Sequence, residues 1–82
     1  AYLRGNQHLF AGDSAGAIAA YREALRLYPG YVAGYRGLGL AFMQQGNTSE
    51  ALSALHLYAR TVPNARDLPL IRKRIERLEK QR

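Results

Sequence analysis

The 82-residue sequence predicts an all-α fold: two antiparallel helical hairpins stacked as a solenoid and closed by a C-terminal capping helix. Three observations carry this. Glycine, alanine and proline recur at a spacing of 34 residues, short polar turns separate stretches with helical apolar periodicity, and the chain becomes strongly basic after residue 65.

The repeat is visible when the sequence is shifted by 34 residues: Gly5 meets Gly39, Gly12 meets Gly46, Ala17 meets Ala51 and Pro29 meets Pro63. Large side chains align as well, Tyr21 with Leu55, Leu9 with Met43 and, less closely, Leu25 with Ala59. The matched residues are those that backbone geometry or tight packing demands. They place helices over 1–11, 14–28, 31–45, 48–61 and 67–81.

The first helix is predicted to stop at Gly12 and the third at Gly46, because glycine readily adopts the left-handed conformation that ends a helix. Asp13-Ser14 and Asn47-Thr48-Ser49 follow, and Asp or Asn there can cap the next helix. Asn47 with Glu50 three residues on has the form of a capping box. In the second and fourth helices Ala17 and Ala51 are small, as a close helix crossing requires. Pro29 and Pro63 are expected to terminate these two helices, since the residue before a proline leaves the helical region. Connections this short make sequential helices antiparallel neighbours. A single hairpin cannot bury its apolar face, so the hairpins must stack.

The last helix breaks the period, with Pro69 where the pattern asks for an aromatic. Asp67 is expected to cap it, and a proline in the first turn is tolerated because that N–H has no intrahelical partner. Leu68, Ile71, Ile75 and Leu78 form one narrow apolar stripe, while Arg72, Lys73, Arg74, Arg77, Lys80 and Arg82 occupy the other faces. A solenoid end needs such a cap with a polar exterior.

The spacing in the second unit, Tyr35, Leu38, Gly39, Phe42, Gly46, Ala51, Leu55 and Pro63, resembles the tetratricopeptide repeat pattern. The first unit follows it at Gly5, Gly12, Ala17, Tyr21, Ala24 and Pro29, and departs at Ala1, Arg4 and His8. The second departs at Tyr58, where the family has a small residue. The resemblance covers residues 1–65, with units at about 1–30 and 31–64, and leaves 66–82 as a basic amphipathic capping helix. It implies a right-handed solenoid, and it accounts for Gly39 through close helix packing. Gly34 and Gly37 have no such account, and close approach by a partner backbone is the expectation there. Tyr21, Tyr35 and Tyr28 are expected in the core or in the packing between repeats.

The resemblance further implies a protein-interaction scaffold in which the first helices of successive hairpins line a concave groove that holds a peptide or helix. Carried over by position, the groove residues are Tyr2, Asn6, Leu9 and Phe10 in the first unit and Ala33, Arg36, Leu40, Met43 and Gln44 in the second. Arg74 and Arg77 of the closing helix are expected to reach the same side. Apolar anchors beside guanidinium groups suit a partner segment carrying an acidic residue. The other account of Leu9 and Phe10 is packing against a further repeat. Chaperone-binding members of the family hold a C-terminal carboxylate at places that here carry Tyr2, Asn6, Gly37, Asp67 and Ile71. Only Asn6 matches, so that specificity is not expected.

Composition narrows the other classes. The net charge is +6, and residues 66–82 hold seven basic groups against Asp67, Glu76 and Glu79. An acidic partner is therefore favoured, and binding of nucleic acid or another polyanion through the basic helix is the alternative to groove binding. Assembly with copies of itself by end stacking is a third reading. With no cysteine, neither disulfides nor thiolate metal sites are available, and the compartment stays open. No apolar run reaches the length of a membrane span. The chain begins at Ala1 without a signal-peptide pattern and reads as a piece of a longer protein. His8 and His56 lie on different helices, the carboxylates lack acid–base or metal-ligand spacing, and neither GxxxxGK[ST] nor GxGxxG occurs. No catalytic activity, cofactor or metal is expected.

Overall fold

The computed structural model describes residues 2–62 and 64–81, with the backbone alone at Tyr2. Expectations that fall on Ala1, Pro63, Arg82 and the Tyr2 side chain lie outside the described residues. Five helices follow one another: α1 (Tyr2–Phe10), α2 (Ser14–Leu27), α3 (Ala33–Gln45), α4 (Thr48–Thr61) and α5 (Leu68–Lys80). Among the described residues there is no strand. Each helix packs on its neighbour in sequence, and α1 also touches α3. The protein is an all-α helical-repeat solenoid.

The turns inside the two hairpins are built alike. Gly12 (φ 81°) and Gly46 (φ 87°) both take the left-handed conformation, which costs an L side chain roughly 1–2 kcal/mol. After α1 the Gly12 N–H donates to the Leu9 carbonyl and the Asp13 N–H to the His8 carbonyl. After α3 the Gly46 N–H donates to Met43 and the Asn47 N–H to Phe42. This paired closure satisfies carbonyls that a helix end leaves without partners. Asp13 and Asn47 then cap the following helices, accepting the N–H of Gly16 at 3.0 Å and of Glu50 at 3.4 Å.

Only half of the expected capping box forms. The Asn47 N–H is already bound to the Phe42 carbonyl, so the Glu50 side chain has no donor to meet. The connection between hairpins is looser. Val32 offers no side-chain cap, and α3 begins at Ala33, two residues later than predicted, after single tight turns from Gly34 to Tyr31 and from Tyr35 to Val32.

Ala17 and Ala51 are fully buried where their helices cross, and the core runs continuously from Ile18 and Tyr21 through Leu38 and Phe42 to Leu52 and Leu55. Ile71, Ile75 and Leu78 of α5 join the same cluster, so the apolar stripe of the basic helix is covered by the solenoid. Every buried side-chain nitrogen or oxygen among the described residues has a partner. Tyr28 departs from expectation. It sits 66% exposed, because α2 ends at Leu27 and the chain turns outward before Pro29.

The glycines of α3 serve internal packing. A Cβ at Gly37 would stand 2.5 Å from the Tyr21 ring, and one at Gly34 would stand 2.9 Å from Leu25. Both neighbours come from α2, which corrects the expectation that a partner backbone approaches there. Gly5 on α1 faces the same ring, with a Cβ position 2.7 Å from Tyr21 Cε1. Tyr21 is therefore a wedge between α1 and α3, and its hydroxyl donates to Asn6 Oδ1.

Candidate partner-binding cleft

The short α1 packs against the longer α3, and a shallow cleft of about 330 Å³ is lined by residues of both helices and by one residue of α5. Leu9 comes from α1, Leu40, Met43 and Gln44 from α3, and Arg74 from α5. The Gln44 side-chain amide donates to the Leu9 carbonyl at 3.1 Å, tying the two walls together. That carbonyl belongs to the last turn of α1 and also accepts the Gly12 N–H, so the cleft floor is anchored to the hairpin turn. Apolar side chains form most of this surface, with one amide and one guanidinium at its margin.

Five of the residues expected from the sequence are thus brought together. The others whose side chains are described do not line it. Asn6 is occupied by Tyr21 and acts inside the repeat. Phe10 is 91% exposed and lies off the cleft lining, as does the partly buried Ala33 at the start of α3. Arg77 stands on the outer side of α5 in a separate concavity with Lys73, Glu76 and Lys80.

Arg36 has a different employment from the one predicted. Its Nε donates to Asp67 Oδ2, and the Tyr58 hydroxyl donates to Asp67 Oδ1 at 2.8 Å. The three residues belong to α3, α4 and the start of α5, so one carboxylate pins the closing helix to both helices of the second hairpin. Asp67 occupies the position before α5 but makes no side-chain cap, its oxygens being spent on Tyr58 and Arg36. Burial pushes its carboxyl pKa up, but the Tyr58 hydroxyl and the Arg36 guanidinium outweigh that and hold it below the usual 3.8. Tyr58 was recognisable in the sequence only as an oversized residue at a small position; its hydroxyl partner explains the size.

The histidines are held in pairs. His8 Nδ1 lies 2.9 Å from Asp13 Oδ2 at the first hairpin turn, and His56 Nε2 lies 3.7 Å from Glu79 Oε2 between α4 and α5. Among the described residues no three His, Cys, Asp or Glu side chains are placed to hold a metal ion, and no helix is long and apolar enough to cross a membrane.

A smaller cleft of about 210 Å³ lies between α2, α3 and α4 over Tyr35, Leu38 and Phe42. There the Arg22 guanidinium sits 5.7 Å from the centre of the Phe42 ring. Nothing in the local sequence signals that contact, since the two residues are twenty positions apart.

A family model described as tetratricopeptide repeat matches residues 2–66. No curated protein and no solved structure gives a significant match.

Proposed function

The chain belongs to the tetratricopeptide repeat family, whose domains generally mediate protein–protein interaction and are typically non-catalytic scaffolds, and from that premise we propose that this one holds a segment of a partner protein in the cleft between α1, α3 and α5. The supporting observation is the convergence of Leu9, Leu40, Met43, Gln44 and Arg74 from three helices on one concavity. A cleft of this size takes one or two apolar side chains of an extended or helical guest. Arg74 is the cation at its edge, and an acidic residue of the guest pairs with it. Arg36, the other cation on this side, is already neutralised by Asp67.

Residues 1–65 act as two repeats in this reading, and residues 66–82 close the stack. The closing helix also contributes Arg74, so capping and binding are joined in one element.

The test is affinity capture with the wild-type chain, with a Met43→Glu, Arg74→Glu variant, and with Arg60→Glu on the exposed side of α4. The cleft variant should lose its partner, a loss worth at least about 2 kcal/mol for central contacts, while Arg60→Glu keeps it. Identical partner sets for all three remove the cleft from the function.

A further inference from the structure

The outer surface of α5 carries the largest concentration of charge in the molecule, and the way its own carboxylates are used explains why that charge stays available. Asp67 is bound to Arg36 and Tyr58 of the second hairpin, and Glu79 faces His56 of α4. Both acids thus serve the docking of α5 onto the solenoid. The contacts between acidic and basic side chains among the described residues, His8–Asp13, Glu23–Arg26, Arg36–Asp67 and His56–Glu79, include none to Arg72, Lys73, Arg77 or Lys80. All four are exposed.

Lys73, Arg77 and Lys80 succeed one another at four and three residues, which puts them on one stripe of the helix spanning about 10 Å. Together with Glu76 they line a concavity of about 450 Å³ on the side of α5 away from its buried stripe. The helix is fixed there by Leu68, Ile71, Ile75 and Leu78, so the cations are displayed on a rigid support.

We infer that this stripe is a second docking surface, separate from the cleft, for a glutamate- or aspartate-rich segment of a protein. Charge complementarity selects an anionic partner, and three features select among anions. The apolar stripe of α5 is buried against the core, and Leu70, half exposed near the start of the helix, is a lone leucine rather than an apolar face to insert into a lipid surface. It presents no aromatic side chain on which bases could stack. Glu76 stands among the cations, where it repels a continuous phosphate backbone, yet it can pair with a lysine of a mixed-charge peptide segment. Exposed carboxylates spaced three and four apart on a partner helix match the cation spacing.

The experiment titrates the chain with a fluorescent, end-blocked, glutamate-rich helical peptide that carries no large apolar residue. A random-sequence DNA duplex and phosphatidylserine-containing vesicles serve as competing probes. The peptide should bind, more weakly as salt rises, and more tightly than either competitor. Lys73→Glu, Arg77→Glu, Lys80→Glu together should weaken it by roughly ten-fold or more. The corresponding glutamine triple variant should give a smaller loss in the same direction, and thermal melting should show both variants folded, since all three positions are exposed. Met43→Glu in the cleft should leave peptide binding unchanged. No binding of the peptide, equal binding by the folded triple variants, a parallel loss in Met43→Glu, or tighter binding of the duplex or the vesicles would each overturn the inference.

Discussion

In the first hairpin a tyrosine ring fills the space between helices, with Tyr21 of α2 set against Gly5 of α1 and Gly37 of α3. Thirty-four residues later the same register carries Leu55 of α4 against Gly39 of α3, where a Cβ would stand 2.4 Å from Leu55 Cδ2. The register of Gly37 in the next helix falls on Ile71 of α5, a fully buried residue of the same core. One repeat therefore uses a large ring beside two bare backbones. The other uses a smaller leucine beside one bare backbone and an isoleucine. Similar space is filled with the volume divided differently, which is how a close-packed interior tolerates sequence change.

This comparison is broken most severely by exchanging parts between the two solutions. Gly37→Ala gains helix propensity of about 1 kcal/mol but drives a methyl group into the Tyr21 ring, so a net loss of about 1–2 kcal/mol is expected from overpacking. Tyr21→Leu opens a void between Gly5 and Gly37 and costs about 2–3 kcal/mol. The double variant approaches the arrangement of the second hairpin. In urea melts it should be more stable than the sum of the single losses predicts, by about 1 kcal/mol or more. Simple additivity would show that the two positions do not share their space.

The turns should behave as equals where the packing does not. Gly12→Ala and Gly46→Ala each force a side chain into the left-handed region with nothing nearby to clash. Each should cost about 1 kcal/mol, the two values agreeing to within a few tenths. A large inequality in their thermal melts would mean that the two hairpins differ in their turns as well.

The smallest effect concerns the tie that only the second hairpin makes to α5. The Asp67 pKa is lowered in the folded chain, so the carboxylate contributes stability above the unfolded value and loses it as pH falls through the folded one. Asp67→Asn should be less stable than wild type at neutral pH, and the gap should close in acid, well below pH 3.8. A gap that stays constant with pH would assign the effect to packing rather than to charge.

These cases also mark what could be read without coordinates. The hairpin turns were legible because Gly12-Asp13 and Gly46-Asn47 act on neighbours within five residues. The helix limits followed to within two residues. The reasons for Gly34 and Gly37 were not legible, since Leu25 and Tyr21 reach them from another helix. Arg36 has the spacing of a groove residue, yet its partner Asp67 is 31 residues away, and only the folded chain reveals that they meet. Among the residues expected to line the groove, those converging on the cleft sit where α1, α3 and α5 approach. Phe10 stands about 100° around its helix from Leu9, and Arg77 about 60° from Arg74, which is enough for each to miss it.

Asp13 and Asn47 each finish one helix through the backbone and start the next through the side chain. A residue with two such duties leaves no slack in the hairpin. One extra amino acid there would separate the duties and detach a closure from its cap. An insertion is therefore better accommodated in the stretch after Leu27, where Tyr28 to Tyr31 run exposed, than in either hairpin turn.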